Sequence, residues 1–272
     1  MADNSKASSQ TQPVLLAVAV GNTRTAAGVF IGNQLDRSER WVNAETPNPA
    51  DRLADLVSRS GTRAAAVASV NEPVAKTVCD ALGTLLPADP GVFRIGTDLP
   101  IEIPHNLKDA STVGQDRLLC ALGAYSRARQ ACIVVDTGTA VTINFVDGEG
   151  TFHGGAILPG LGMMLRSLHT STAAIPDISP CHEPDAATPW GRDTADAIAV
   201  GVRAAIVGAV HELVMKYAEH YEGYPQVVAT GGDAVRLFSN DDVVEHIVPD
   251  LQLLGIKAVC DVALAGEEEV SS

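Results

Sequence analysis

Basic residues are scarce in this 272-residue chain: 19 Lys and Arg stand against 33 Asp and Glu, a formal net charge of −14. Such a surface repels phosphate backbones, and the basic residues are scattered rather than gathered in a patch, which argues against nucleic acid as a partner. Small anions remain open as ligands, because backbone N–H groups at turns and helix starts hold them whatever the net charge. Cysteine is sparse too. Cys79, Cys120, Cys132, Cys181 and Cys260 are odd in number, widely spaced and form no C-x-x-C pair. That disfavours a disulfide framework or a zinc site and points to free thiols in or near the core of a protein from a reducing compartment. Long apolar runs are missing as well, since Asp136 and Arg203 interrupt the longest candidates before the ~18 residues a bilayer span requires. Residues 1–12 are polar, unlike a secretory leader. The expectation is a cytoplasmic protein without a membrane segment. Finally, G-x-x-x-x-G-K-[ST] and G-x-G-x-x-G are both absent, which disfavours a P-loop and a Rossmann dinucleotide site.

What is present is the material of a folded α/β chain. Hydrophobic residues make up 46% and charged residues 19%, enough to bury a large core in one domain or two packed subdomains. Residues 15–20 are apolar, Gly21-Asn22-Thr23 turns, and 26–31 are apolar again, which reads as a β-hairpin. Helical spacing follows over 50–58 and 74–86, around a buried strand at 64–70. The second half repeats this grammar: a strand at 133–135, the turn Asp136-Thr137-Gly138-Thr139, a strand at 141–146, a long helix over 193–217 and a short strand at 226–229. Placing Gly21 on Gly138 sets Val20 opposite Thr137 and Ala19 opposite Asp136. The expected layout is a tail over 1–12, subdomains 13–114 and 115–265 with a cleft between them, and an acidic, frayed end over 266–272.

Three glycine turns follow expected strands: Val20-Gly21-Asn22-Thr23, Asp136-Thr137-Gly138-Thr139 and Thr230-Gly231-Gly232-Asp233. Glycine there lets the backbone approach a ligand, while the neighbouring Thr and Asn supply donors for phosphate oxygens. One such turn is an ordinary hairpin; three in this order resemble the actin, hexokinase and heat-shock-protein-70 superfamily of ATP-binding folds. Within it the chain resembles type III pantothenate kinases, through LLAVAVGNTRTAAGVF (15–30), VGQDRLLCALGAY (113–125), IVVDTGTAVT (133–142), HGGAILPGL (153–161), GRDTADAIAVG (191–201), VVATGGDA (227–234) and PDLQLLG (249–255). The resemblance implies an α/β chain of two related subdomains of the actin-like, ribonuclease H-like fold, with a nucleotide cleft between them. It implies transfer of the γ-phosphate of ATP to pantothenate, the first step towards coenzyme A. It also implies Mg²⁺, a monovalent cation (K⁺ or NH₄⁺), and a homodimer whose interface completes the acceptor site.

Carried over residue by residue, the resemblance makes Asp116 the general base, and Gly114, Arg117 and Thr194 acceptor-binding residues. Gly21, Asn22, Thr23, Gly138 and Thr139 fall on the phosphates of ATP, and Gly231 and Gly232 on its adenosine. Asp136 becomes the carboxylate near the metal, and Gly154 and Gly155 lie near the acceptor. Plainer roles compete: Asp116 and Thr194 as helix N-caps, Arg117 in a surface ion pair, the glycines in tight turns. The chain departs from the family at Ala19, where the family carries an aspartate that organises Mg²⁺, and over 104–109, where His105 lies in an altered acceptor stretch. Ala19 leaves two alternatives open, a slowed kinase and a non-catalytic homologue that binds nucleotide or pantothenate.

Overall fold

The computed structural model describes residues 12–270. The tail expected over 1–12 lies outside the described residues except for Gln12. Among the described residues ten strands form two five-stranded sheets. In the first, β1 (Val14–Val20), β2 (Arg24–Ile31) and β3 (Gln34–Val42) form an antiparallel meander, and β4 (Ala64–Ser69) and β5 (Gly91–Arg94) join parallel to β1 in the order β3-β2-β1-β4-β5. In the second, β6 (Cys132–Thr137), β7 (Ala140–Val146) and β8 (Phe152–Pro159) form the meander, and β9 (Gln226–Thr230) and β10 (His246–Ile247) run parallel to β6. Read from β8, the order is β8-β7-β6-β9-β10. The two halves are therefore the same motif twice, as the paired hairpins led us to expect.

Alternation along β1 divides its side chains between two helical layers. Leu16, Val18 and Val20 meet Leu53 and Leu56 of α1 (Ala50–Ser60) and Val78 and Leu82 of α2 (Glu72–Leu85). Each such side chain contributes about 1.5–3 kcal/mol when fully buried. Ala17 and Ala19 face the other way, against Leu119 of α3 (Gln115–Ala128) and Leu253, Ile256 and Val259 of α7 (Leu251–Val270). The second sheet is covered on one face by α4 (Leu161–Thr170) and α5 (Thr194–Tyr221), through Leu161, Leu165, Val202, Ile206 and Val210. Its other face receives α3, through Cys120, Ala121 and Ala124. A short α6 (Ala234–Phe238) follows β9.

The seam between the sheets is thus two crossing helices. A side chain at Gly123 would meet the Leu251 carbonyl oxygen at 2.5 Å, and one at Gly255 would clash with the Leu119 backbone. Two glycines let the helices touch backbone to backbone. α7 comes from the end of the chain yet packs on the first sheet, so the stretch expected to close the second subdomain closes the first. Its helix also runs on to Val270, through residues expected to be frayed; Ser271 and Ser272 lie outside the described residues.

The expectation of no long apolar run needs correction. α5 contains an 18-residue window of mean hydropathy 1.7, long and apolar enough by length and composition to cross a membrane. Arg203 does not break it because Ala, Val, Ile and Gly dominate around it. Only 28% of that window is buried within the chain. All five cysteines are free thiols; Cys120, Cys132 and Cys260 are buried and Cys79 partly so, while Cys181 is exposed. Burial pushes Cys132 up to about 12 and Cys260 up to about 11.

Candidate active site

Three glycine turns from two different halves meet at the mouth of the seam. The first follows β1, where the Gly21 N–H donates to the Arg24 carbonyl at 2.9 Å; the second follows β6, where the Gly138 N–H donates to that of Ala140 at 3.0 Å. Their tips touch, with the hydroxyls of Thr23 and Thr139 in a 2.8 Å hydrogen bond. The third turn follows β9. Gly231 sits at φ +94°, and a side chain there would lie 2.5 Å from Asp136 Oδ1 and 2.6 Å from the Thr137 nitrogen. Only glycine fits that conformation and that approach. A side chain at Gly232 would clash with the guanidinium of Arg24, and the Asp233 N–H donates to the Thr137 carbonyl at 3.1 Å. The start of α4 also belongs here, since a side chain at Gly160 would strike the carbonyls of Gly138 and Thr139.

Beneath the turns lie two carboxylates. Asp136 is the penultimate residue of β6, and among the described residues its side chain accepts no hydrogen bond. Burial, with the charge of Asp116 added to it, pushes its carboxyl up to about 7. Some surface remains at the cleft floor, as suits a group that is enclosed by protein yet reachable from the seam. Asp116 lies in the first turn of α3. Gly114, not Asp116, caps that helix, and it does so without a side-chain bond, so the cap role fails for Asp116. Asp116 Oδ1 instead folds back to accept from the Arg117 N–H at 2.8 Å, close enough to Gly114 that a side chain there would lie 2.5 Å from it.

Among the described residues Arg117 makes no surface ion pair. Its Nε and Nη2 donate to Asn144 Oδ1 on β7, at 2.9 and 2.6 Å, and its guanidinium lies 5.8 Å from the centroid of the Phe152 ring. Burial holds it below the usual arginine range. Gly155 pairs across from Asn144 and Gly154 from Phe145, and any side chain at Gly155 would collide with the Ile143 carbonyl. The altered stretch 104–109 runs beside them: Phe152 donates to the Pro104 carbonyl at 2.7 Å and accepts from Asn106 at 2.9 Å. His105 bridges Phe152 through its backbone, and its side chain is exposed and makes no hydrogen bond among the described residues.

Thr194 is placed elsewhere. The cap of α5 is Asp193, whose side chain accepts from the Asp196 N–H at 2.9 Å, so Thr194 is the first helical residue and not the cap. It lies on a groove of about 1040 Å³ between α4 and α5, floored by Met163, Met164, Ile198 and Val202. Pro159, beside Gly160, joins that groove to the second glycine turn. Among the described residues Thr194 makes no hydrogen bond with Asp116 or Arg117.

Ala19 is 3% exposed and packs with Ala17, Ala68 and Leu119, offering no donor. Among the described residues no group of three or more His, Cys, Asp and Glu is placed to hold a metal. A Mg²⁺ ion that keeps several waters and rides on nucleotide phosphates needs only one or two carboxylates, and Asp136, with its free oxygens, fits that lesser demand. Sequence reasoning missed Arg24 and Asn144. A signal existed for Asn144, an amide in the middle of a strand where such residues are disfavoured.

Residues 15–216 match the family described as Type III pantothenate kinase. A type III pantothenate kinase of Rubrobacter xylanophilus is 31% identical over 257 residues, covering 90% of this chain and 97% of its own. Among solved structures, component A of (R)-2-hydroxyglutaryl-CoA dehydratase from Acidaminococcus fermentans matches with a TM-score of 0.51 at 16% identity, over 92% of this chain and 99% of that one. Ethanolamine utilization protein EutJ from Carboxydothermus hydrogenoformans matches with a TM-score of 0.50 at 17% identity, over 91% and 89%. These structures share the fold alone.

Proposed function

This chain belongs to the type III pantothenate kinase family, and we propose that the cleft between its two sheets is the kinase site. The activity is ATP-dependent phosphorylation of pantothenate, which opens coenzyme A biosynthesis. The observation that carries the assignment to this cleft is the meeting of three glycine turns over two neighbouring carboxylates. Gly21, Asn22, Thr23, Gly138 and Thr139 hold the phosphates through their N–H and hydroxyl groups, while Gly231 and Gly232 lie against adenosine. Asp116 takes the proton from the acceptor hydroxyl as its oxygen bonds to the γ-phosphorus. The bond from that phosphorus to the bridging oxygen breaks, and ADP leaves with the electron pair. Arg117 pairs with the acceptor carboxylate, with Gly114 and Thr194 beside the acceptor.

Asp136 would hold Mg²⁺ together with the phosphates, and the ion when bound would supply charge neutralisation of the triphosphate. The monovalent cation, K⁺ or NH₄⁺, belongs to the same reading. A homodimer is supported by the apolar α4–α5 groove and by the exposed small residues Ala197, Gly201, Ala204, Ala205 and Gly208 along α5. A second copy covering that face would place Thr194 at the interface. The subdomains 13–114 and 115–265, seamed by α3 and α7, close on the nucleotide in a cytoplasmic enzyme.

Replacing Asp116 with Asn tests the reading: pantothenate turnover falls by about 10²–10⁴-fold with the melting curve unchanged, and unchanged turnover contradicts the assignment. The second reading, a non-catalytic binder of nucleotide or pantothenate, draws on Ala19 alone. It predicts binding of either ligand without product.

A further inference from the structure

Asn144 is 1% exposed in the middle of β7, where an amide left unpaired costs about 1–3 kcal/mol. Both ends of the amide are engaged. Oδ1 accepts both Arg117 bonds, and Nδ2 donates to Thr142 Oγ1 at 3.1 Å. That second bond fixes which end of the amide faces the guanidinium. Phe152, wholly buried, supports the guanidinium from its ring, and Gly155 lets β8 press against the backbone at Asn144. Among the described residues the side chains that contact the guanidinium, Asn144 and Phe152, are neutral. Asp116 is next to it in the chain and acts on its charge through space, but bonds only to its backbone N–H. An arginine bound to a carboxylate would have its charge met internally. This one is anchored by an amide, and among the described residues its remaining guanidinium N–H groups make no hydrogen bond, which leaves them for a planar anion.

We propose that Asn144 is the positioning residue that aims Arg117 at the carboxylate of the acceptor without tying its guanidinium to a carboxylate of the chain. The proposal rests on the reading of this cleft as the pantothenate site. Its test is steady-state kinetics on the full chain with pantothenate varied, for wild type, Asn144→Ala, Asn144→Asp, Arg117→Ala and the Arg117→Ala/Asn144→Ala pair. Losing a charge-assisted bond that orients the binding group raises the KM for pantothenate about 10–100-fold in Asn144→Ala, with kcat changed less than about threefold. Asn144→Asp keeps the accepting oxygens and recovers most of that loss, but not all, because its charge competes with the ligand's. In the double variant the KM equals that of Arg117→Ala alone within about twofold, since the two residues act as a unit.

A KM for Asn144→Ala within about twofold of wild type, or effects that multiply in the double variant, would overturn the proposal. If Asn144→Ala does not fold, the same cycle run with Asn144→Leu, which keeps the volume and removes the accepting oxygen, decides by the same criterion. A wild-type chain that neither phosphorylates pantothenate nor binds it by calorimetry overturns the site reading and this proposal with it. An active wild type with an indifferent Asn144 overturns the proposal alone.

Discussion

The ends of β1 and β6 occupy matching places in two copies of one motif, yet they do opposite things. Ala19 and Asp136 each stand two residues before a turn glycine, and each sits on a central strand flanked by an antiparallel and a parallel neighbour. Ala19 disappears into the apolar layer beneath α3 and α7. Asp136 presents a carboxylate against α3, with its acidity weakened by burial and by Asp116. One end is built to pack and the other to carry charge at a cost in stability. Two copies of one motif therefore differ in what they bring to the cleft; its two neighbouring carboxylates come from β6 and from the start of α3.

Making the second end resemble the first should have the largest effect. Asp136→Asn removes the carboxylate assigned to the metal, and turnover falls by about 10²–10³-fold, the usual loss for one preorganised electrostatic group. Stability moves the other way. The folded protein holds the Asp136 proton up to about pH 7, whereas an unfolded chain releases it near 3.8. Between those values the folded state binds more protons, so stability falls as pH rises through the window and is lowest above it. Asn carries no such penalty. Thermal melts should show the variant more stable than wild type at pH 8 and level with it at pH 4; equal melts at pH 8 contradict the buried-charge account.

A smaller effect tests whether the two turns share the nucleotide equally. Gly231→Ala forces a side chain into a left-handed conformation and onto Asp136. It should raise the KM for ATP by about 10-fold or more and cost about 1–3 kcal/mol of stability. The smallest effect is expected at the touching hydroxyls. Thr23→Val and Thr139→Val each remove one exposed hydrogen bond, worth about 0.5–1.5 kcal/mol at most. Each should raise the KM for ATP by a similar few-fold. A large effect from one and none from the other would break the symmetry of the turns.

The two hairpins were legible because an apolar run, a Gly turn and a second apolar run leave few alternatives, and the register of Ala19 against Asp136 followed from aligning them. α5 was legible from its spacing, starting within one residue of the expected position. β3 was not, because QLDRSERWV lies at a sheet edge and only Trp41 is buried there. α7 was not, since it is apolar around much of its circumference and packs on the distant first sheet. At the site, the cap roles weighed for Asp116 and Thr194 belong to Gly114 and Asp193. Helix starts can be read to within a residue, and a cap is lost at that margin. The Asn144–Arg117 bond joins residues 27 positions apart through a strand pairing that local pattern does not reveal.

The most direct test of the unequal ends is to restore the missing carboxylate. ATP-dependent phosphorylation of pantothenate should be measured with Mg²⁺ titrated and K⁺ present, on wild type beside Ala19→Asp. The account predicts slow turnover in wild type and a gain of about 10²–10³-fold in the variant, reached at lower Mg²⁺. Turnover that stays the same or falls in a folded, ATP-binding variant would contradict it, and would mean that the second half alone already suffices.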